Sequence, residues 1–219
     1  MTYDGLVSRH LNRRLSRPAA RALRPTPVTP NQVTAFTLLL AIATGAMLAA
    51  GWNIAGGIAI QAVSVIDGVD GELARLKNAA SRFGAIFDAV TDRYADAAII
   101  AGMTVYAVRF EDWPRPEFVG MLALGASLIV SYSRARIEAD LPHAVRGGNL
   151  DSIFGLASRD VRSLILAIGA VLGQCYLALA LVTALAALTI AWRLAYLRFA
   201  GNREPGSGNR EAGAGNREG

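Results

Sequence analysis

The residues best suited to chemistry are four aspartates that stand close together in the sequence: Asp67, Asp70, Asp88 and Asp92. Long apolar runs flank them, Trp52 to Ile66 before and Ala95 to Val108 after. Carboxylates at the end of a membrane-length apolar helix are unfavourable without a partner. Because divalent metal ions prefer oxygen ligands, the stretch is predicted to bind metal.

The spacing of these aspartates fits two helices that meet at one point. Asp67 and Asp70 are three residues apart, and Asp88 and Asp92 are four apart, so each pair shares a helix face. Carboxylates at this density suit Mg²⁺ or Mn²⁺. Two such ions about 3.5–4 Å apart are a common device for phosphoryl transfer. The alternative interpretation is a solvated helix end with ordinary surface acids.

Small residues accompany the aspartates: Gly68, Gly71, Ala74 and Gly84. They leave room beside the carboxylates for a bulky substrate, or they serve helix packing in a membrane. Arg75 follows directly and offers a planar fork to a phosphate, or it anchors the helix end at the membrane interface.

The elements that must position these residues are predicted to be membrane helices. Hydrophobic residues make up 53% of the chain and charged residues 18%, whereas a globular domain has about 25% charged residues. The fold class is therefore all-α and integral to the membrane. Six apolar segments are predicted as transmembrane helices, at 33–50, 52–73, 84–108, 118–133, 161–172 and 176–197. The fifth is expected to begin near Arg159 and to extend past Gln174.

The regions outside these segments divide the chain into three parts. Residues 1–28 are predicted to be an amphipathic interfacial helix and linker, because arginines alternate with leucines near helical spacing over Tyr3 to Leu23. Thr29 is predicted to cap the next helix, with Pro30 at its first position. Residues 29–200 form the six-helix domain. The Gly/Asn/Arg/Glu-rich tail, 201–219, is predicted to be disordered.

Basic residues indicate the orientation of the chain. One side of the predicted membrane carries the N-terminal arginines, the tail arginines, Arg75, Lys77, Arg82, Arg134, Arg136, Arg146, Arg159, Arg162 and Arg198. The positive-inside rule places both termini and the aspartates in the cytoplasm, at the inner (cytoplasmic) membrane. Because the net charge of +5 follows membrane boundaries, nucleic acid is disfavoured as a partner. Cys175 is the single cysteine and excludes an intramolecular disulfide.

The aspartate stretch resembles a known family signature. It matches D-x2-D-G-x2-A-R-x8-G-x3-D-x3-D of the CDP-alcohol phosphotransferases, class I, at every fixed position. The segment Thr29-Pro30-Asn31-Gln32-Val33-Thr34 is similar to the entry segment of that family. Ser131 to Arg136 is similar to the end of its fourth helix.

The resemblance implies a fold, a cofactor and a reaction. It implies six membrane helices, a homodimer, a lipid bilayer environment and a site with two divalent ions, Mg²⁺ or Mn²⁺, open to the cytoplasm. Attack of an acceptor hydroxyl on the β-phosphorus of a CDP-alcohol would release CMP. Metal would be held by Asp67, Asp70, Asp88 and Asp92, and Asp92 would also act as general base. The CDP group would be surrounded by Asn31, Thr34, Gly71, Ala74, Arg75, Ser81 and Gly84.

Arginines suggest the acceptor. Arg134 and Arg136 end one predicted helix, and Arg159 and Arg162 begin the next. Arg134, Arg136 and Arg159 are predicted to bind a phosphate on a polyol acceptor such as inositol phosphate or glycerol phosphate. The alternative is simple anchoring at the cytoplasmic interface. The sequence around Asp67 is similar to that of the family branch that joins CDP-inositol to inositol phosphate.

Two other functions fit parts of the sequence. A small cation transporter would also use intramembrane carboxylates, although transport sites lie near the midplane rather than at helix ends. A scaffold without activity would require a broken signature, and this one is intact. Within the family, a phospholipid synthase and a CDP-inositol:inositol-phosphate transferase both remain open.

Overall fold

The fold is a bundle of α-helices, seen in a computed structural model that describes residues 13–140 and 159–201. Within these residues the helices are α1 (Arg13–Leu23), α2 (Pro30–Ala49), α3 (Asn53–Leu76), α4 (Arg82–Phe110), α5 (Pro116–Asp140), α6 (Arg159–Val171) and α7 (Cys175–Gly201). The described residues contain no strand, which agrees with the predicted all-α class.

Four of these helices are long and apolar enough to cross a membrane: α2, α3, α5 and, over Cys175–Arg198, α7. The helix α4 has a suitable length but carries the charges of Asp88, Asp92, Arg93 and Asp96. The helix α6 has only 13 described residues. These four helices indicate a membrane protein. The number of six membrane-spanning helices remains a prediction.

The helix boundaries follow local sequence signals. Thr29 caps α2 as predicted: its hydroxyl accepts from the Gln32 amide, the Gln32 side chain accepts from the Thr29 amide, and Pro30 is at the first position. The fifth predicted segment is helical from Arg159, the first described residue of this part of the chain, and it ends at Val171 rather than beyond Gln174. The reason is Gly173, whose φ of +67° turns the chain before α7.

Two glycines bring α2 close against α4. A Cβ on Gly45 would meet the Ala98 carbonyl group, and a Cβ on Gly102 would meet the backbone of Gly45. Two glycines facing each other let the backbones approach, which is how helices commonly associate in a bilayer. This contact fixes α4, and therefore Asp88 and Asp92, relative to α2.

The helix α1 and its linker are fastened to α3. Ser16 is buried, and a Cβ on Gly68 would lie 3.4 Å from its hydroxyl oxygen, so α1 packs closely on α3 at this glycine. The ammonium group of Lys77 donates to the carbonyl oxygens of Thr26 (2.6 Å) and Val28 (2.7 Å). The linker is thus tied to the end of α3. Residues 1–12 of the predicted interfacial helix and residues 202–219 of the predicted tail lie outside the described residues.

The last helix is held at its start by the end of α4. The carboxylate of Glu111 accepts from the backbone amides of Cys175 (2.6 Å) and Tyr176 (3.1 Å). Trp113 stacks on the Tyr176 ring, with centroids 5.0 Å apart. An acidic group at a helix N-terminus is favourable because it satisfies amides that have no intrahelical partner.

Candidate active site

Three of the four signature aspartates converge between α3 and α4. Asp67 of α3 and Asp88 and Asp92 of α4 each offer a carboxylate oxygen, and these oxygens lie within 4.8 Å of one another. All three side chains are half-buried. Because hard oxygen donors at this spacing are what Mg²⁺ and Mn²⁺ select, the cluster fits a divalent ion.

Asp70, the fourth, is placed differently. Its carboxylate accepts from the Thr34 hydroxyl of α2 and from the Gly71 amide, each at 2.5 Å. It is buried, and it lines the same cavity as Asp88. Asp70 therefore lies at the edge of the cluster formed by the other three aspartates. Its own hydrogen-bond donors are the Thr34 hydroxyl and the Gly71 amide.

A cavity of about 380 Å³ opens beside Asp70 and Asp88. Its lining includes every residue predicted to surround the CDP group: Asn31, Thr34, Gly71, Ala74, Arg75, Ser81 and Gly84. They come from α2, from α3, from the turn before α4 and from the first residues of α4. Residues far apart in the sequence are thus assembled around one space next to the carboxylates.

The cavity meets the N-terminus of α4. Ser81 is the cap residue, and its hydroxyl accepts from the Gly84 amide at 3.0 Å. A Cβ on Gly84 would lie 3.1 Å from that hydroxyl and 3.2 Å from the Asn31 amide oxygen. The absence of a side chain at Gly84 therefore keeps this corner open, and a helix N-terminus favours an anion such as a phosphate.

Arg75 reaches the cavity from the end of α3. Its guanidinium lies 3.2 Å from the Glu72 carboxylate, which is also 3.6 Å from the Arg17 guanidinium of α1. The Arg75 side chain is 60% exposed, so it can move toward a phosphate in the cavity. Gly68, in contrast, packs against α1 at Ser16, which supports the helix-packing interpretation for that glycine.

The predicted acceptor arginines fall in two places. Arg159 lies in the aspartate cluster, 2.5 Å from Asp67 and 2.8 Å from Asp92. Arg134 and Arg136 form ion pairs one turn along α5, with Glu138 at 2.9 Å and Asp140 at 2.8 Å. Arg162, at the start of the same helix as Arg159, is buried against Asp96 and Ser127.

Two cations near the site were not predicted to have a role. Lys77 ties down the linker that leads to Asn31, as described above. Arg193 is buried in α7 and donates to the Val130 carbonyl (2.8 Å) and the Ser133 hydroxyl (2.9 Å). A charged residue inside the apolar run of the last helix was a usable signal for Arg193, since such residues are rare in membrane helices.

This arrangement can be compared with known proteins. The sequence profile of the CDP-alcohol phosphatidyltransferase family matches residues 27–200. The chain belongs to this family. The predicted resemblance to this family is thereby confirmed.

Two relatives show where in the family the chain lies. It is 44% identical over 172 residues to the bifunctional IPC transferase and DIPP synthase of Rubrobacter xylanophilus, covering 78% of this chain and 37% of the relative. It is 32% identical over 171 residues to the phosphatidylinositol phosphate synthase of Mycobacteroides abscessus, covering 77% and 73%. The chain therefore spans less than half of the first relative.

A solved structure shares the fold. The phosphatidylinositol phosphate synthase of Mycobacterium tuberculosis with CDP-DAG bound superposes with a TM-score of 0.70 at 26% identity, covering 91% of this chain and 99% of that one. The two relatives described above belong to the branch of the family that uses inositol phosphate. The residues around Asp67 suggested the same branch.

Proposed function

We propose that this chain is a membrane phosphotransferase that moves a substituted phosphate from a CDP-alcohol to a hydroxyl of a phosphorylated polyol, with release of CMP. The observation that carries the proposal is the position of the aspartate cluster next to a cavity. Asp67, Asp88 and Asp92 converge beside a cavity whose lining includes every predicted CDP-contacting residue. Family membership supports the same reaction class.

The CDP group would occupy the cavity of about 380 Å³. The N-terminus of α4 and the exposed Arg75 supply positive potential for its phosphates. Asn31 and Ser81 supply polar groups at the same end. The small residues Gly71, Ala74 and Gly84 leave the space into which the nucleotide fits.

Metal would be held by the signature aspartates. Asp67, Asp88 and Asp92 supply the converging oxygens, and Asp70 is the fourth ligand that the resemblance implies. Two ions, Mg²⁺ or Mn²⁺, would neutralise the diphosphate and the departing CMP. In support, a related structure of the Mycobacterium tuberculosis enzyme, 24% identical, is described as a complex with manganese and citrate.

Asp92 is the proposed general base. The acceptor hydroxyl oxygen forms the new bond to the β-phosphorus, the bond between that phosphorus and the CMP oxygen breaks, and the hydroxyl proton passes to a carboxylate. Asp92 is half-buried on α4, within the cluster and one turn beyond Asp88. Arg93 and Arg159 contact its two oxygens, at 3.3 and 2.8 Å.

The acceptor would be recognised by its phosphate. Arg159 is adjacent to Asp92, so a phosphate bound there brings a nearby hydroxyl within reach of the base. Arg134 and Arg136 would contribute after exchanging Glu138 and Asp140 for the ligand, since exposed ion pairs of this kind are weak. An inositol phosphate is the acceptor that both relatives' names favour.

Two donors are supported by different observations. The similarity of the residues around Asp67 to the branch that joins CDP-inositol to inositol phosphate favours CDP-inositol. An apolar groove of about 750 Å³ between α1, α3 and α6 favours CDP-diacylglycerol, because it could receive acyl chains. The groove is lined by residues that include Leu15, Ile58, Val65, Leu164 and Ile168.

The membrane arrangement belongs to the proposal. We place six crossings, α2 to α7, in the cytoplasmic membrane, with the aspartates and both termini on the cytoplasmic side. The distribution of basic residues supports this orientation. The resemblance also implies a homodimer, which a mass measurement of the purified protein in a nanodisc would test.

A cation transporter is less well supported. An ion has no need of a cavity of about 380 Å³ beside its ligands, whereas a nucleotide does. The family match points to transfer rather than transport. A scaffold role is disfavoured because all four aspartates and both signature glycines are present.

The test is CMP release by the purified chain with Mg²⁺. Donors are CDP-inositol and CDP-diacylglycerol, and acceptors are inositol phosphate and glycerol phosphate. We expect release that needs both donor and acceptor, and we expect Asp92→Asn to lower its rate by at least about a hundredfold because the base is lost. Asp112→Asn is the matched control, since Asp112 is exposed in the turn after α4.

The outcomes separate the parts of the proposal. Release with one donor–acceptor pair identifies the substrates. Full activity in Asp92→Asn contradicts its role as base. Failure of all four pairs, with the protein monodisperse, contradicts the proposed substrates.

A further inference from the structure

One guanidinium bridges the signature aspartates and an acid outside the signature. Arg159 Nη1 lies 2.5 Å from Asp67 Oδ2 and 2.8 Å from Asp92 Oδ1. Its Nε atom lies 3.4 Å from Asp96 Oδ1. Arg159 begins α6, whereas the three acids lie on α3 and α4, so this side chain holds three helices together.

Asp96 is itself held from two further directions. Its Oδ2 atom lies 3.2 Å from Arg162 Nη2 and accepts from the Ser127 hydroxyl at 3.1 Å. Arg162 also donates to that hydroxyl oxygen at 3.0 Å. Because these contacts engage Oδ2, the other oxygen faces Arg159. Asp96 is therefore a fixed anion at the edge of the cluster.

Arg159 and a divalent ion need the same carboxylates. Asp67 and Asp92 are two of the three residues whose oxygens converge, and both already neutralise part of their charge with Arg159. Two cations at one pair of carboxylates repel each other strongly in a partly buried site. Binding of one must weaken binding of the other.

We propose that Arg159 is an exchangeable counter-cation of the aspartate cluster, and that Asp96 is the positioning residue that receives its guanidinium when a divalent ion takes Asp67 and Asp92. Nε already contacts Asp96, so the exchange needs only a rotation of the side chain about that contact. The inference rests on the metal site of the proposed function.

A static ion-pair network is the competing explanation. If Arg159 only held the acids in place, its removal would disorder them and weaken metal binding. If it competes with metal, its removal strengthens metal binding. The two explanations thus differ in the sign of one measurable change.

The experiment measures Mn²⁺ affinity of the full chain in nanodiscs, from the electron paramagnetic resonance signal of free Mn²⁺. We expect Arg159→Met to bind Mn²⁺ at least about tenfold more tightly, because a competing charge is gone. We expect Asp96→Asn to bind about three- to tenfold more weakly, since Arg159 then has only the cluster as a partner.

The double variant decides whether Asp96 acts through Arg159. We expect the double variant to match Arg159→Met alone, because the positioning residue has nothing left to position. If the changes in Mn²⁺ affinity of the two single variants add up in the double variant, Asp96 acts on the metal only through its own charge. That result would contradict its role as the positioning residue of Arg159. Arg93→Met is the charge-matched control: Arg93 contacts Asp92 at 3.3 Å but is 35% exposed, so we expect a change below about threefold.

The remaining outcomes are equally specific. Absence of Mn²⁺ binding by the unaltered chain overturns the metal site and this inference together. Binding by the unaltered chain, with Arg159→Met unchanged or weaker, overturns the inference alone. An equal gain in Arg93→Met would show a general charge effect and also contradict it. Should Arg159→Met not be monodisperse, Arg159→Gln makes the same comparison.

Discussion

Asp70 differs from the other signature aspartates in the partners of its carboxylate. The Thr34 hydroxyl and the Gly71 amide both donate to it at 2.5 Å, and both residues line the cavity that we propose for the nucleotide. A buried carboxylate needs such donors, because its desolvation is unfavourable without them. Asp70 therefore connects the cavity wall on α2 with the face of α3 that we propose to bind metal.

This contact gives a prediction about a single hydroxyl. Thr34→Val should lower the unfolding free energy by about 1–2 kcal/mol, because the buried Asp70 carboxylate loses a donor. The measurement is thermal unfolding in detergent. Thr37→Val is the matched control, since the Thr37 hydroxyl donates only to the Val33 carbonyl of its own helix, and it should change stability little. Equal losses in both variants would contradict the stated reason.

Between elements, the α2–α4 contact is the one that most directly sets the site. Gly45 and Gly102 allow the two backbones to meet, and α4 carries both Asp88 and Asp92. The proposed nucleotide cavity lies at the end of this helix pair, where Asn31 and Gly84 face each other. A change in the spacing of α2 and α4 would therefore alter both the cavity and the cluster.

Gly102→Ala tests this spacing. The added Cβ would lie against the Gly45 backbone, which cannot move aside as a flexible side chain can. We expect a loss of about 1–3 kcal/mol in unfolding free energy, the usual effect of overpacking. Gly125→Ala, at a helical glycine with nothing within 4 Å of its Cβ position, should be neutral or slightly stabilising. A tolerated Gly102→Ala would mean that the helices can separate freely.

For the whole molecule, the orientation of the bundle in the membrane can be measured by cysteine labelling, because the natural cysteine is not expected to react. Cys175 is fully buried, so a membrane-impermeant maleimide should report only introduced cysteines. Ala79→Cys lies in the turn between α3 and α4, and Asp112→Cys lies in the turn between α4 and α5; both positions are exposed.

We expect the reagent to label Ala79→Cys in inside-out vesicles and Asp112→Cys in intact cells, because the aspartate end faces the cytoplasm in the proposed orientation. Unaltered protein serves as the blank. Labelling of both positions from the same side would contradict a membrane-crossing α4.

The sequence was sufficient for features that depend on short spacings. The separation of Asp88 and Asp92 placed both on one face of α4, and the structure has them in one cluster with Asp67. Thr29 and Pro30 marked the start of α2 correctly. These features are local, so helical periodicity decides them.

Features that depend on tertiary neighbours were not predictable in the same way. The shared face of Asp67 and Asp70 did not reveal that Thr34 of α2 would engage Asp70. The contact between Asp67 and Arg159 joins residues 92 positions apart, and no spacing rule reaches that far. The resemblance identified the residues of the cavity, but their assembly from α2, α3 and α4 required the fold.

The arginines of α6 have a consequence for biogenesis. Arg159 and Arg162 lie in the described part of this helix, and arginine disfavours insertion of a helix into the membrane. The arginine end of α6 is neutralised by Asp67, Asp92 and Asp96 of α3 and α4. Because α3 and α4 precede α6 in the chain, these acids are synthesised before the arginines that they neutralise. We therefore expect the aspartates of the candidate site to favour the insertion of α6, in addition to their proposed role in metal binding.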